Sequence, residues 1–136
     1  QIENELKELS GTYSNFALDL GYKEYLSHKI YASSDFLLMP SRVEPCGLNQ
    51  MYAMRYGTVP IVRYIGGLRD TVEDISTGGS GINFGDATAE DAVNAMHRAM
   101  HIYHDHDLMK KLIQSNMDFD FSWDKSAHIY LELYRK

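Results

Sequence analysis

A chain of 136 residues, 44% apolar and 24% charged, is long enough for about one domain with a real core, and no window holds the roughly 18 consecutive apolar residues of a membrane helix. The formal charge of −6 argues against a nucleic-acid backbone as the main partner. One cysteine, Cys46, leaves no internal disulfide framework, which suits a reducing compartment such as the cytoplasm, or a plastid in a plant.

The start, "QIENELKELSG", is charged and amphipathic, unlike a signal peptide, and the missing initiator Met fits a processed or trimmed chain. Ile2, Leu6 and Leu9 recur at helical spacing, with Gly11 as the helix end. "SNFALDLGY" predicts a strand over Phe16–Leu20, stopped by Gly21. Lys23 to Ser33 reads as a helix with Tyr25, Leu26 and Ile30 on its apolar side. The unbroken apolar run Phe36–Met39, ended by Pro40, predicts a strand covered on both faces. A helix from Gly47 to Tyr56 follows, closed by Gly57. Pro60–Arg63 is the next strand, ended by Gly66 and Gly67, and "SGINFGD" holds a short fourth. Thr88 is placed to cap a helix Ala89–His104, since a Thr oxygen accepts an orphan N–H there. Helices over Leu108–Asn116 and Ser122–Arg135 complete the chain.

Alternation of strand and helix at this pace predicts right-handed crossovers and a parallel sheet. The strands are fewer than the roughly five or six of a free-standing doubly wound domain. The expectation is therefore α/β: a partial Rossmann-like parallel sheet with flanking helices, forming a single partial domain over residues 1–136.

In open α/β sheets ligands collect outside the carboxyl ends of the strands. Three glycine-bearing loops are expected there: "LGYKE", "PSRVEPCGLNQ" and "RYIGGLRD". In the second, the N–H groups of Gly47, Leu48 and Asn49 open a helix and have no intrahelical partner, which makes a phosphate cradle. The helix dipole adds only about 0.3–1 kcal/mol, so tight binding needs further donors. Glu44 repels a bare phosphate but fits a phosphate that carries a sugar. A carboxylate accepts hydroxyl hydrogen bonds and stabilises positive charge at an anomeric carbon. From spacing alone Glu44 reads first as a solvated loop acid or a capping group.

"PSRVEPCGLNQMYAMRYGTVPIVRYIGGLRDTV" resembles the nucleotide-sugar loop region of bacterial glycogen synthases and plant starch synthases. "LGYKEYLSHKIYASSDFLLMPS" before it and "MDFDFSWDKSAHIYLELYRK" at the end are similar to the matching segments of that family. The combination of "EPCGL", "RYGT.P" and "GGL.DTV" carries the resemblance, which is weakest between Ser76 and Asn116. It implies the C-terminal nucleotide-sugar domain of a two-domain GT-B glycosyltransferase. Such enzymes move glucose from ADP-glucose to the non-reducing end of an α-1,4-glucan, with retention and without a metal or cofactor. The implied partners are ADP-glucose and, through an N-terminal domain, the glucan; no nucleic acid and no membrane are implied.

The resemblance makes Glu44 the carboxylate beside the transferred glucose. The backbone at Cys46, Gly47, Leu48 and Asn49 faces the diphosphate, Tyr22 stacks on adenine, and Gly66 and Gly67 lie beside the sugar. Arg42 either faces a phosphate or pairs with Glu44. Three positions depart from wider patterns. Related transferases carry a second glutamate where this chain has Tyr52, as is usual in the synthase branch. Family members often have Thr where Ile65 and Asn49 stand here. The Arg and Lys that neutralise the leaving diphosphate lie upstream in the family, so this segment alone is expected to be inactive.

Other residues carry weaker readings. His97, His101 and His104 share a helix face at metal-ligand spacing, but no Cys or paired carboxylate joins them, and a solvated polar face is the plain alternative. Cys46 has no histidine beside it in sequence and reads as a loop thiol. Asp70 is expected to cap or turn "GGLRDTV". Trp123 and Tyr130, with Tyr134, give the last helix an aromatic face, read as core packing or as a face left bare in the isolated segment. The alternatives to the glucosyltransferase are another GT-B transferase with a different nucleotide sugar and a non-catalytic nucleotide-binding or oligomerisation module. A receiver-like signalling module needs clustered acids at the first strand end, where only Asp19 stands.

Overall fold

The structure is a computed structural model that describes residues 1–135. Three parallel strands, β1 (Phe36–Met39), β2 (Val59–Arg63) and β3 (Ile82–Phe84), form a sheet in the order β1-β2-β3. Phe36 pairs with Val59 and Met39 with Val62; Ile61 pairs with Ile82 and Arg63 with Phe84. Parallel neighbours need crossovers, and these bring helices to both faces. The helices α3 (Asn49–Arg55) and α4 (Gly66–Thr71) cover one face, while α5 (Ala89–His104) and α6 (His106–Met117) cover the other.

The two-residue period of the strands sorts the core into two halves. Phe36, Leu38, Val59, Ile61, Ile82 and Phe84 face Ala95, Ala99, Ile102, Met109 and Leu112 of α5 and α6. Leu37, Met39 and Val62 face Met51, Met54, Leu68 and Val72. Met54 and Leu68 are fully buried, and burial of such a side chain contributes about 1.5–3 kcal/mol. Thr88 caps α5 as expected: its Oγ1 accepts the Asp91 N–H at 3.2 Å. The Asp91 carboxylate accepts the N–H groups of Gly85 and Asp86, which ties the end of β3 to the start of α5.

The remaining helices, α1 (Ile2–Thr12), α2 (Glu24–Ser33) and α7 (Trp123–Tyr134), bury no residue. Among the described residues the aromatic face of α7 packs into no core: Trp123 is 88% exposed, and Tyr130 and Tyr134 are exposed as well.

Three expectations change. Phe16–Leu20 is not a strand; the segment is irregular and mostly exposed, because alternating apolar residues make a strand only where a neighbouring strand completes the ladder. "LGYKE" consequently leaves no strand end. The run Phe36–Met39 is covered on both faces as expected, Phe36 and Leu38 packing on one side and Leu37 and Met39 on the other, although it is an edge strand among the described residues and only Met39 in it is fully buried. The helix expected from Gly47 begins at Asn49 and is only two turns long. Gly66–Gly67 does not simply stop β2 but begins α4, with Asp70 exposed inside that helix rather than capping it. The short strand expected in "SGINFGD" is β3.

Candidate functional site

The site lies where the β1–α3 loop meets the start of α4. The Gly67 N–H donates to the Glu44 carbonyl at 3.2 Å. A Cβ on Gly66 would strike the Glu44 carbonyl oxygen, and one on Gly67 would strike the Cys46 backbone. Gly66 also has φ +48°, in the left-handed region. The double glycine therefore lets two backbones touch.

The half-buried Glu44 accepts a hydrogen bond on Oε2 from the Ser41 hydroxyl at 3.2 Å, which fixes one carboxylate oxygen. Ser41 is itself held from below. Arg63, at the end of β2, donates from Nη1 to the carbonyls of Ser41 (3.3 Å) and Arg42 (2.8 Å), and from Nε to Gly85 O (3.0 Å). One guanidinium thus straps the acid-bearing loop to the carboxyl ends of β2 and β3, through the fixed fork that suits Arg to such work.

The N–H groups of Gly47, Leu48 and Asn49 have no acceptor among the described residues. Leu48, the residue before α3, makes no side-chain cap. Because α3 is short, these donors count as individual amides rather than through a helix dipole. Gly47 has φ +72°, and a Cβ there would lie 2.6 Å from Gln50 Oε1. Gln50 is fully buried. The two N–H bonds of its Nε2 are shared among Cys46 O (3.3 Å), Gly47 O (3.0 Å) and Thr71 Oγ1 (3.0 Å). Thr71 Oγ1 in turn donates to Gly67 O at 2.7 Å.

Cys46, Leu48 and Asn49 are exposed around this loop, with Gly47 half-buried. Glu44, Cys46, Gly47, Gly66 and Gly67 are thus brought together. Arg42 is exposed and makes no ion pair with Glu44 among the described residues. Tyr22 is 86% exposed, so it does not serve the core. It lies near Tyr31, whose phenol is pushed up by burial and then by the neighbouring Tyr52 and Tyr22. Tyr31 stacks on Tyr56 at 6.3 Å, and its ring is tilted against Tyr52 of α3 at the same distance. His97, His101 and His104 are exposed, and no group of three His, Cys, Asp or Glu side chains placed for a metal occurs among the described residues.

Sequence reasoning missed Gln50, Thr71 and Arg63. Gln50 had a readable signal: with Ala53 and Met54 it forms the buried i, i+3, i+4 stripe of α3. An amide on an apolar stripe must find hydrogen-bond partners in the fold. Arg63 had none, because its acceptors are carbonyls of distant loops.

Residues 18–117 match the family of glycosyl transferases group 1. The chain is 48% identical over 98% of its length to the glycogen synthase of Flavobacterium johnsoniae and spans 28% of that protein. It is 45% identical over 98% of its length to the glycogen synthase of Thioalkalivibrio sulfidiphilus and spans 29% of it. Among solved structures it is similar to the catalytic domain of starch synthase IV from Arabidopsis thaliana, bound to ADP and acarbose. That likeness has a TM-score of 0.87 and 40% identity, and covers 98% of this chain and 29% of the other. The chain therefore spans less than a third of the length of each of these relatives.

Proposed function

This chain belongs to the glycosyl transferases group 1, and from that premise we propose that it is the nucleotide-sugar-binding part of a retaining glucosyltransferase of glycogen or starch synthesis. The donor is ADP-glucose and the acceptor is the non-reducing end of an α-1,4-glucan. The bond from the anomeric carbon to the diphosphate oxygen breaks, the acceptor hydroxyl oxygen bonds that carbon on the same face, and the hydroxyl proton passes to the leaving ADP. The observation that carries this reading is the identity with glycogen synthases along nearly the whole chain. The similarity to a starch synthase bound to ADP and acarbose supports both halves of the substrate assignment.

In this reading the free amides of Gly47, Leu48 and Asn49, with the Cys46 backbone, receive the diphosphate. Glu44, held by Ser41, stands beside the glucose and stabilises charge at its anomeric carbon. Gly66 and Gly67 line the sugar side, Tyr22 offers an uncommitted ring to the adenine, and the exposed Arg42 faces a phosphate. The acceptor groove and the cations that neutralise the leaving diphosphate belong to the remainder of the enzyme. The working compartment is the cytoplasm, or the plastid if the source is a plant. Among the described residues no helix is long and apolar enough to cross a membrane.

The test is transfer of labelled glucose to glycogen by the full-length protein, with ADP-glucose and UDP-glucose compared side by side. Incorporation from ADP-glucose is expected. Preference for UDP-glucose moves the assignment to a different donor, and no transfer from either overturns it.

A further inference from the structure

We propose that Gln50, with Thr71, is a positioning residue that aims the Gly47 and Leu48 amides at the diphosphate; this rests on the donor site proposed above. In a trans peptide the carbonyl and the following N–H point in opposite directions. No cis bond occurs among the described residues. Gln50 Nε2 binds the carbonyls of both Cys46 and Gly47. Pulling those two oxygens inward turns the next two N–H groups, those of Gly47 and Leu48, outward. Consecutive outward amides make an anion-binding concavity.

The orientation of the Gln50 amide is dictated by its surroundings. Reversing it would place its oxygen against two carbonyl oxygens. As it stands, Oε1 is buried beneath Gly47 with no hydrogen-bond partner among the described residues. The contacts that hold the side chain in place therefore run through its nitrogen. Thr71 extends the device. Its hydroxyl accepts from Gln50 and donates to Gly67 O, while the Gly67 N–H binds Glu44 O. Four links therefore run from the outward amides to the backbone of Glu44, setting the distance between phosphate donors and carboxylate.

The test measures ADP and adenosine affinity by calorimetry on the full-length protein and on its Gln50→Met, Thr71→Val and Thr71→Ser variants. KM and kcat for ADP-glucose and unfolding temperatures are recorded for each. Gln50→Met keeps the volume and removes the donor. It is expected to weaken ADP about tenfold or more, the loss of roughly one hydrogen bond to a charged group, with adenosine affinity unchanged and KM rising. Thr71→Val is expected to weaken ADP severalfold and Thr71→Ser to restore it. Unchanged ADP affinity in folded Gln50→Met, or equal loss of ADP and adenosine, overturns the inference. If Gln50→Met does not fold, equal ADP affinity in Thr71→Val and Thr71→Ser overturns it. If the unsubstituted protein binds no ADP, the donor-site reading fails first and the inference falls with it.

Discussion

The carbonyl of Glu44 and the N–H of Gly67, 3.2 Å apart, join the acid-bearing loop to the first turn of α4. Neither partner uses its side chain, so the contact depends on what is absent at Gly67. A methyl group there meets the Cys46 backbone, which cannot swing aside as a flexible side chain would. Gly67→Ala is expected to destabilise the protein by about 1–3 kcal/mol, the usual cost of overpacking. Urea unfolding measures it; a change within about 0.5 kcal/mol, typical of a surface substitution, would show that the two backbones are not in contact.

Glu44→Gln separates charge from shape. The amide oxygen still accepts from Ser41, so the loop keeps its geometry. What disappears is the negative charge beside the reacting carbon. Loss of one such electrostatic group costs on the order of a hundredfold or more in kcat. Steady-state kinetics of the full-length protein are expected to give that fall while ADP affinity holds. Wild-type kcat in the variant would remove Glu44 from the chemistry.

Arg63 is expected to affect the same step from a distance. Its guanidinium holds the Ser41 and Arg42 carbonyls, and Ser41 holds Glu44. Arg63→Met keeps the stem and drops the donors. Hydrogen bonds from a charged group contribute about 1.5–3 kcal/mol each in favourable sites, but this one is partly exposed, and about 1 kcal/mol of stability is the expected loss. Unfolding gives that number, and kcat is expected to fall further than stability alone explains. Full activity in a folded Arg63→Met variant would mean that the loop keeps its shape without the strap.

The sequence disclosed the elements whose signals are local. The Thr88 cap, the apolar run Phe36–Met39 and the long amphipathic α5 need only a few neighbouring residues to be recognised. Phe16–Leu20 has a strand's alternation but no strand beside it among the described residues, and no local pattern reveals whether a partner is there. α4 hid behind two glycines, which are poor helix formers. The burial of Leu68 and Val72 and the close approach to Glu44 and Cys46 override that propensity. At the site, the Glu44–Gly47 loop was legible as a motif. The supports beneath it, Gln50, Thr71 and Arg63, were not, because their partners lie far along the chain.

Asp74 gives the protein an acid limit away from the site. Burial pushes its carboxyl up, but the Arg98 guanidinium at 2.5 Å and the N–H groups of Asn83 and Ser76 outweigh that and hold it down at about 2. A carboxyl whose folded pKa lies below its unfolded value stabilises the fold above the unfolded value, near the usual 3.8. That contribution is lost as pH falls from about 4 toward about 2. The bonds tie the segment before β3 to β3 and to α5 through Arg98, so their loss loosens that edge of the sheet. Asp74→Asn removes the charge and keeps the size. Arg98 is partly exposed and solvent screens the pair, so the expected cost at neutral pH is about 1–2 kcal/mol. Urea unfolding of both proteins across pH 7 to pH 2 is expected to show that gap closing below about pH 4. A gap that stays constant down to pH 2 would mean that the shape of the side chain matters there and its charge does not.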